Sequence, residues 1–186
     1  MTTPALSLTD RAALLGIARG AILAHLGVAT ARPLPDSGPL AESRGAFVTV
    51  YVSGELRGCI GTFRPQGSLA ATVARMAVAA ASDDPRFPPL RAGEIASLGV
   101  SVSVLGPPRP TADPRAVEIG RQGLLVSRGF HRGTLLPRVA VEHGWGAVEF
   151  LKHTCLKAGL PPHAWEEPDV TVEVFEAEEF GEEAEA

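Results

Sequence analysis

The sequence predicts an α+β fold with a mainly antiparallel sheet flanked by helices. A β-branched and aromatic segment at 46–52 is separated from the segment at 55–61 only by Ser53-Gly54, which is typical of a β-hairpin. Helical segments occur at irregular intervals, unlike the regular β-α-β alternation of a doubly wound parallel sheet. Hydrophobic residues make up 45% and charged residues 20% of the 186 residues, as in ordinary globular proteins. This length suits one domain, or one domain with a small lobe.

Three helices are predicted along the chain. The first covers 8–26, begins near a capping serine or threonine and ends before a glycine. Its apolar side chains recur at spacings of three and four, at Leu8, Ala12, Leu15, Ala18, Ile22 and Leu26. The second covers 67–82 and ends before Pro85, because a residue that precedes proline disfavours the α conformation. The third covers about 146–158.

Further strands are predicted where β-branched residues cluster or where apolar and polar residues alternate. They are predicted at 98–105, in short segments within 116–136, and at 170–180, where apolar and acidic residues alternate. We therefore interpret 1–44 as an N-terminal helix and proline-rich loop that belong to the same domain as 45–180. An acidic tail at 181–186 is expected to be frayed.

Charge is distributed unevenly along the chain. All 17 basic residues lie at or before Lys157, whereas ten of the 21 acidic residues lie at or after Glu166. The chain before Glu166 therefore carries 17 bases against eleven acids, a balance of +6, although the net charge of the whole is −4. This pattern is typical either of a solvated terminal strand or of a basic surface for nucleic acid or another polyanion. Whether the protein binds nucleic acid therefore stays an open question at the level of the sequence.

Several classes of protein are excluded. With 2 Cys, the chain is no disulfide-rich secreted scaffold. It has no apolar run of about 20 residues, which excludes a membrane-spanning helix. Asp10 and Arg11 interrupt the stretch in which a signal peptide needs apolar residues, so a cytoplasmic location is expected. The five His and two Cys show no zinc-like spacing, and no phosphate or dinucleotide loop is present, so neither a structural metal nor a cofactor is predicted.

The segment LRGCIGT at 56–62 is the most unusual part of the sequence. With Ser53-Gly54 as a two-residue turn, the predicted register pairs Val50 with Arg57 and Val48 with Cys59. Alternation then places Arg57 and Cys59 on one face, with the guanidinium about 7 Å from the thiol. An adjacent cation lowers the pKa of a thiol. The residues expected on the opposite, core face are Phe47, Tyr51, Leu56 and Ile60.

Two interpretations of this segment stay open. In the first, Arg57 and Cys59 face a cleft, and Gly58 and Gly61 let a ligand approach the strand. In the second, Cys59 is simply buried, as cysteines often are, and the two glycines serve packing.

Two further segments contain candidate functional residues. Arg86 lies in DDPRFPPL, a loop stiffened by prolines, where it can either hold an anionic group or pair with Asp83 or Asp84. Glu142, in HRGTLLPRVAVEHGWG, is a candidate for proton transfer. Trp145, near the start of the third helix, is either a core anchor or a stacking platform.

Five segments together resemble the AMMECR-domain family, also known as the AmmeMemoRadiSam system protein A group. They are LRGCIGT at 56–62, DDPRFPPL at 83–90, VSVLGPP at 102–108, GTLLPRVAVEHGW at 133–145 and CLKAGLPPHAW at 155–165. The resemblance covers about 45–180 and implies a compact α+β fold with an antiparallel sheet, flanking helices and a smaller lobe. It implies a cytoplasmic protein, often encoded beside a Memo protein, which resembles extradiol dioxygenases, and a radical S-adenosylmethionine enzyme.

The resemblance also bears on function. The family has no established biochemical activity, but R-G-C-I-G is its hallmark, and Arg86, Glu142 and Trp145 fall on its pattern. We therefore expect either of two functions. The chain is a thiol-dependent enzyme component that binds a small anionic substrate, with Cys59 and Arg57 as catalytic residues and Gly58, Gly61, Arg86 and Glu142 at the substrate. Alternatively, it is a non-catalytic module that docks a protein or nucleic acid through its basic body.

Overall fold

The structure, a computed structural model, describes residues 6–182. These residues form two compact units: the first contains the chain up to Leu105 together with the residues from Glu178 onward, and the second is Gly106–Ala177. Each unit has its own hydrophobic core. Antiparallel strands with flanking helices confirm the predicted α+β class. Of the predicted acidic tail, 183–186 lie outside the described residues.

The first unit contains antiparallel strands and two helices. Its central strand β1 (Ala46–Val52) pairs with β2 (Glu55–Thr62) on one side and with β3 (Leu98–Leu105) on the other. Helices α1 (Leu8–His25) and α2 (Leu69–Ser82) supply apolar side chains to its core. The largest of the fully buried side chains there are Leu14, Ile22, Leu69, Val48, Val50, Val73 and Val102.

Both helices begin at the serines that precede them. The Ser7 hydroxyl accepts the N–H of Asp10, and the Asp10 carboxylate accepts the N–H of Ser7, so a capping box fixes the start of α1. Ser68 caps α2 in the same way by accepting the N–H of Ala71. The α1 helix ends just before Gly27, whose φ of 71° lies in the left-handed region that glycine favours.

The second unit surrounds a smaller antiparallel sheet. Strand β5 (Gln122–Arg128) pairs with β6 (His131–Leu135) and with β7 (Thr171–Gly181), whose residues up to Ala177 belong to this unit. The short β4 (Arg109–Pro110) also pairs with β7. Helix α4 (Ala147–Lys157) places Phe150, Leu151 and Cys155 in the core. A short helix α3 (Pro137–Glu142), which begins at a proline, is additional to the predicted elements.

The register of the β1–β2 hairpin differs from the predicted one. Tyr51 pairs with Leu56, as the turn requires, but Val50 pairs with Gly58 and Thr49 with Cys59. Arg57 is therefore the extra residue of a β-bulge, which breaks the simple alternation of side chains. The predicted placement of Arg57 and Cys59 by alternation on one face of a regular strand is wrong for this reason.

The predicted core face of the hairpin is also wrong in part. Val48 and Val50 lie fully buried in the core, so the alternate residues Phe47 and Tyr51 lie on the other face. Ile60, opposite Val48, packs against the core as predicted, whereas the Leu56 residue is 41% exposed. The covered face is the one on which α2 packs.

Gly58 is required by that packing. A Cβ atom added at Gly58 would lie 1.9 Å from the carbonyl oxygen of Ala80, in the backbone of α2. On the opposite face, a Cβ at Gly61 would lie 2.2 Å from the ring of Phe47. The two glycines thus admit a helix backbone on one side of β2 and an aromatic ring on the other.

None of the helices within residues 6–182 combines the length and the apolar character needed to cross a bilayer.

The two glycines predict different sensitivities to alanine. Gly58→Ala should lower the free energy of unfolding by about 1–3 kcal/mol or more, because the backbone of α2 would have to move. Gly61→Ala should lower it less, because the Phe47 ring can rotate away. Urea unfolding of both variants measures the difference. A Gly58→Ala protein as stable as Gly61→Ala would contradict the packing role.

Candidate functional site

Cys59 lies on β2, at the end of the sheet order, and its side chain is half-buried. It faces the same side as Thr49 on the paired strand, and the Thr49 hydroxyl donates a hydrogen bond to Sγ over 3.3 Å. The backbone N–H of Cys59 donates to Oδ2 of Asp84 over 2.9 Å. The thiol is thus fixed from two directions, by a buried hydroxyl and by its own backbone.

The Asp84 carboxylate joins β2 to the loop that follows α2. Its side chain is 3% exposed, and it accepts the N–H of Cys59, the N–H of Arg86 and two hydrogen bonds from the Arg86 guanidinium. The side-chain hydrogen bonds from Arg86 hold the pKa of Asp84 well below its usual range, although burial opposes this shift. Of the two pairings open for Arg86 in the sequence, the structure shows the one with Asp84.

Arg86 is the cation associated with Cys59. Its Nη2 donates to Oδ2 of Asp84 over 2.7 Å, the same oxygen that accepts the Cys59 N–H. Hydrogen bonds to Asp84 raise the pKa of Arg86, and its charge also interacts with Cys59. The Arg86 side chain is nevertheless 51% exposed, and within the described part of the chain its Nη1 has no hydrogen-bond partner. This amino group is available to an anionic ligand.

Arg57 is occupied elsewhere. Its Nε donates to Oε1 of Glu94 over 3.0 Å, Nη2 donates to the second oxygen of Glu94 and to the carbonyl of Pro89, and Nη1 donates to the carbonyl of Pro88. Its side chain is 15% exposed. Arg57 thereby fastens the bulge of β2 to the proline-rich loop that contains Arg86. Its predicted catalytic role stays a prediction.

Glu94 completes this connection. Its carboxylate also accepts the backbone N–H of Arg91 over 2.8 Å, at the start of the 3-10 helix Ala92–Ser97. The Arg91 N–H, followed by the Arg57 guanidinium, lowers the pKa of Glu94. One carboxylate thus anchors the helix start and Arg57 together.

Gly58 and Gly61 lie on either side of Cys59 along the strand. Other protein atoms already occupy the space next to each glycine where a Cβ atom would lie. Their predicted contact with substrate stays a prediction, since both already have a packing reason to be glycine. Neither glycine leaves room for a ligand directly above its own Cα.

Glu142 belongs to the second unit, whereas Cys59 belongs to the first. It is the last residue of α3 and forms an ion pair with Arg138, four residues earlier, over 3.2 Å. Such an exposed pair within one helix contributes little to stability, typically about 0.3–0.5 kcal/mol. Its predicted role at a substrate stays a prediction.

Trp145 lies between two histidine rings, an arrangement that sequence reasoning missed. The centroid of its ring system is 4.4 Å from that of His143 and 3.9 Å from that of His153, with interplanar angles of 15° and 1°. Both faces of the indole are therefore covered, which leaves no face for a base to stack on. The signal that could have indicated it is the spacing of eight residues between Trp145 and His153, which is about two turns of helix.

Cys155 differs from Cys59. It is fully buried in the core of the second unit, and burial raises the pKa of its thiol. Among residues 6–182, no three His, Cys, Asp or Glu side chains converge as metal ligands would. The group best placed for chemistry is therefore the half-buried Cys59 with Thr49, Asp84 and Arg86.

The fold and this group define an α+β protein in which a hairpin thiol lies beside a buried aspartate–arginine pair. Comparison with known proteins identifies the family: the AMMECR1 family profile matches residues 15–180, and the chain belongs to this family. Protein MK0488 of Methanopyrus kandleri is 44% identical over 190 residues, which cover 96% of this chain and 91% of that protein. A protein of Methanothermobacter thermautotrophicus is 45% identical over 185 residues, 95% of this chain and 96% of its own.

A solved structure agrees with the fold. The crystal structure of the uncharacterized protein PH0010 from Pyrococcus horikoshii has a TM-score of 0.86 and 42% sequence identity. The match covers 92% of this chain and 90% of that one. The family resemblance inferred from the five sequence segments is confirmed.

The Asp84–Arg86 pair predicts an acid-sensitive contribution to stability. Because the pKa of Asp84 is lowered on folding, the charged carboxylate stabilises the protein above the pKa of an unfolded aspartate, about 4. That contribution should be lost as the pH falls towards the lower pKa of the folded state. The free energy of unfolding of the wild type should therefore approach that of Asp84→Asn between about pH 5 and pH 2.

Urea unfolding of the two proteins across this range measures the difference. Asp83→Asn changes the net charge equally at a neighbouring, exposed position and corrects for the general effect of charge. A gap between wild type and Asp84→Asn that does not narrow on acidification would contradict the assignment.

Proposed function

We propose that the chain is a thiol-dependent enzyme component that binds a small anionic substrate beside Cys59. One observation carries the proposal: a single buried oxygen of Asp84 holds both the backbone of Cys59 and the guanidinium of Arg86. A nucleophile and an anion-binding cation are thereby fixed to each other through one carboxylate. Rigid placement of this kind is what a reacting pair requires.

Each group has a distinct task in this proposal. Cys59 supplies the nucleophilic thiolate, and the Thr49 hydroxyl stabilises it by donating to Sγ. Arg86 binds a carboxylate or phosphate of the substrate through its available Nη1. Asp84 orients Arg86, and Arg57 acts as a positioning residue because it fastens the loop to the strand.

Partners and location belong to the same proposal. The family resemblance supports a cytoplasmic component that works with a Memo-like protein and a radical S-adenosylmethionine enzyme. In such a system the Cys59 site holds the substrate or an intermediate that the partners supply or consume. Co-purification with these proteins, followed by mass spectrometry of retained small molecules, would identify the bound substrate or intermediate.

The alternative is a non-catalytic module that docks a protein or nucleic acid through its basic body, and its nucleic-acid form has less support. Ten arginines of the basic body lie within 4 Å of a carboxylate oxygen: Arg11, Arg19, Arg44, Arg57, Arg86, Arg109, Arg115, Arg121, Arg128 and Arg138. Nucleic-acid binding depends on cations that can replace counterions at phosphates. Most of the charge that suggested such a surface is already compensated within the protein.

Alkylation with two matched reagents tests the proposal. Iodoacetate and iodoacetamide differ by one negative charge, so an anion site at Arg86 should favour iodoacetate at Cys59. Arg86→Gln should lower the ratio of the iodoacetate rate to the iodoacetamide rate by up to about tenfold, the equivalent of about 1.4 kcal/mol. Peptide mapping after labelling of the folded protein separates Cys59 from Cys155.

Two controls make the test specific. Arg64→Gln removes the same charge from an exposed arginine near the end of β2 and should leave the ratio unchanged. Cys155, which is fully buried, should react only after unfolding. If Cys59 also reacts only after unfolding, or if Arg86→Gln stays folded with an unchanged ratio, the thiol–anion site is refuted.

A further inference from the structure

We infer that the first unit contains a second binding site, which takes a small molecule with an apolar chain and an anionic head group. A cavity of about 420 Å³ lies between α1, the loop at 31–35 and α2. It shares no lining residue with the Cys59 site. Its volume lies within the range of small-molecule pockets, about 300–1,000 Å³.

Two glycines of α1 are the first indication of an occupant. Glycine in the middle of a helix destabilises it by about 1 kcal/mol relative to alanine, so it usually has a packing reason. At Gly16 and Gly20, however, an added Cβ would meet no atom within 4 Å. They lie four residues apart, hence on one face of α1, and both line the cavity. Their effect is to widen it.

The other walls make the cavity apolar. Ile17 of α1 and Ala74 of α2 line it, and the loop adds Leu34 between Pro33 and Pro35. The prolines restrict the backbone of this loop. The apolar lining offers van der Waals contacts to an apolar guest. An alkyl chain is complementary to such a lining.

Arg32 provides a positive charge at the edge of the cavity. It is the one charged residue in the lining, and it is exposed. Within residues 6–182, its side chain forms no ion pair and no hydrogen bond, unlike the ten paired arginines. An unpaired guanidinium beside an apolar cavity is complementary to a carboxylate or phosphate on an apolar chain. The ligand class is therefore a fatty-acid-like amphiphile.

Calorimetric titration with octanoate and with 1-octanol as probes tests this inference. Wild-type protein should bind octanoate saturably and more tightly than octanol. Gly20→Leu should fill the cavity, so octanoate affinity should fall by at least about tenfold while Tm stays the same or rises. Arg32→Gln should weaken octanoate binding by up to about tenfold and leave octanol binding unchanged.

Two further variants serve as controls. Gly93→Leu alters a glycine of the same unit that also meets no atoms but lies outside the cavity, so octanoate should bind as in the wild type. Cys59→Ser should also bind octanoate normally, because the inference does not depend on the thiol. The two tests are therefore independent. The thiol–anion site can be refuted while octanoate binding at the α1 cavity holds, and octanoate binding can be refuted while the thiol–anion site holds.

Three results would overturn the inference. The first is no saturable octanoate binding to wild-type protein. The second is binding that is equal in the wild type and Gly20→Leu, or equally strong for octanol with no effect of Arg32→Gln. The third is a dimer, detected by sedimentation, that Gly20→Leu abolishes, which would make a second copy of the chain the occupant.

Discussion

The buried carboxylate of Asp84 is the interaction on which the candidate site depends. A carboxylate that is 3% exposed is strongly unfavourable unless its oxygens are paired, and here two residues supply all the donors. One is the backbone of Cys59 and the other is Arg86. The requirement to compensate this one charge therefore joins a strand, a helix end and a loop. The thiol and the guanidinium are neighbours because both serve the same anion.

The stiffness of the loop has the same origin. Asp84 immediately precedes Pro85, so the end of α2 and the direction of the loop are set by backbone constraints before any ligand is present. Pro88 and Pro89 lie outside the helices and strands, so their carbonyl groups have no partner in a regular hydrogen-bond pattern. The Arg57 guanidinium donates hydrogen bonds to both carbonyls. Two arginines thus act at opposite ends of one short loop. Arg86 works through a charge and Arg57 mainly through carbonyls and Glu94.

The sequence is sufficient for the fold class and for most elements, but not for the short α3 or for the arrangement at the site. Hydrophobic spacing and the Ser53-Gly54 turn predict the helices and the hairpin, because these depend on neighbours along the chain. The bulge at Arg57 lies instead beside Gly58, which packs against the backbone of α2 at Ala80, a residue distant in sequence. One inserted residue is enough to exchange the two faces of a strand. For that reason the sequence predicts Cys59 as a candidate and Arg57 as its cationic neighbour, whereas the structure shows Arg86 joined to it through Asp84.

The basic and acidic residues that are separated along the sequence come together in the fold as ion pairs. Glu178 of the last strand pairs with Arg11 and Arg44 in the first unit, and Glu176 pairs with Arg109 and Arg121 in the second. Several acidic residues that follow the basic body in sequence are therefore its counter-charges in the fold. A charge balance counted along the sequence therefore overstates the cationic surface of the protein. What matters for binding is the smaller set of arginine groups left without a carboxylate, and these include Arg32 at the α1 cavity and Nη1 of Arg86 beside Cys59.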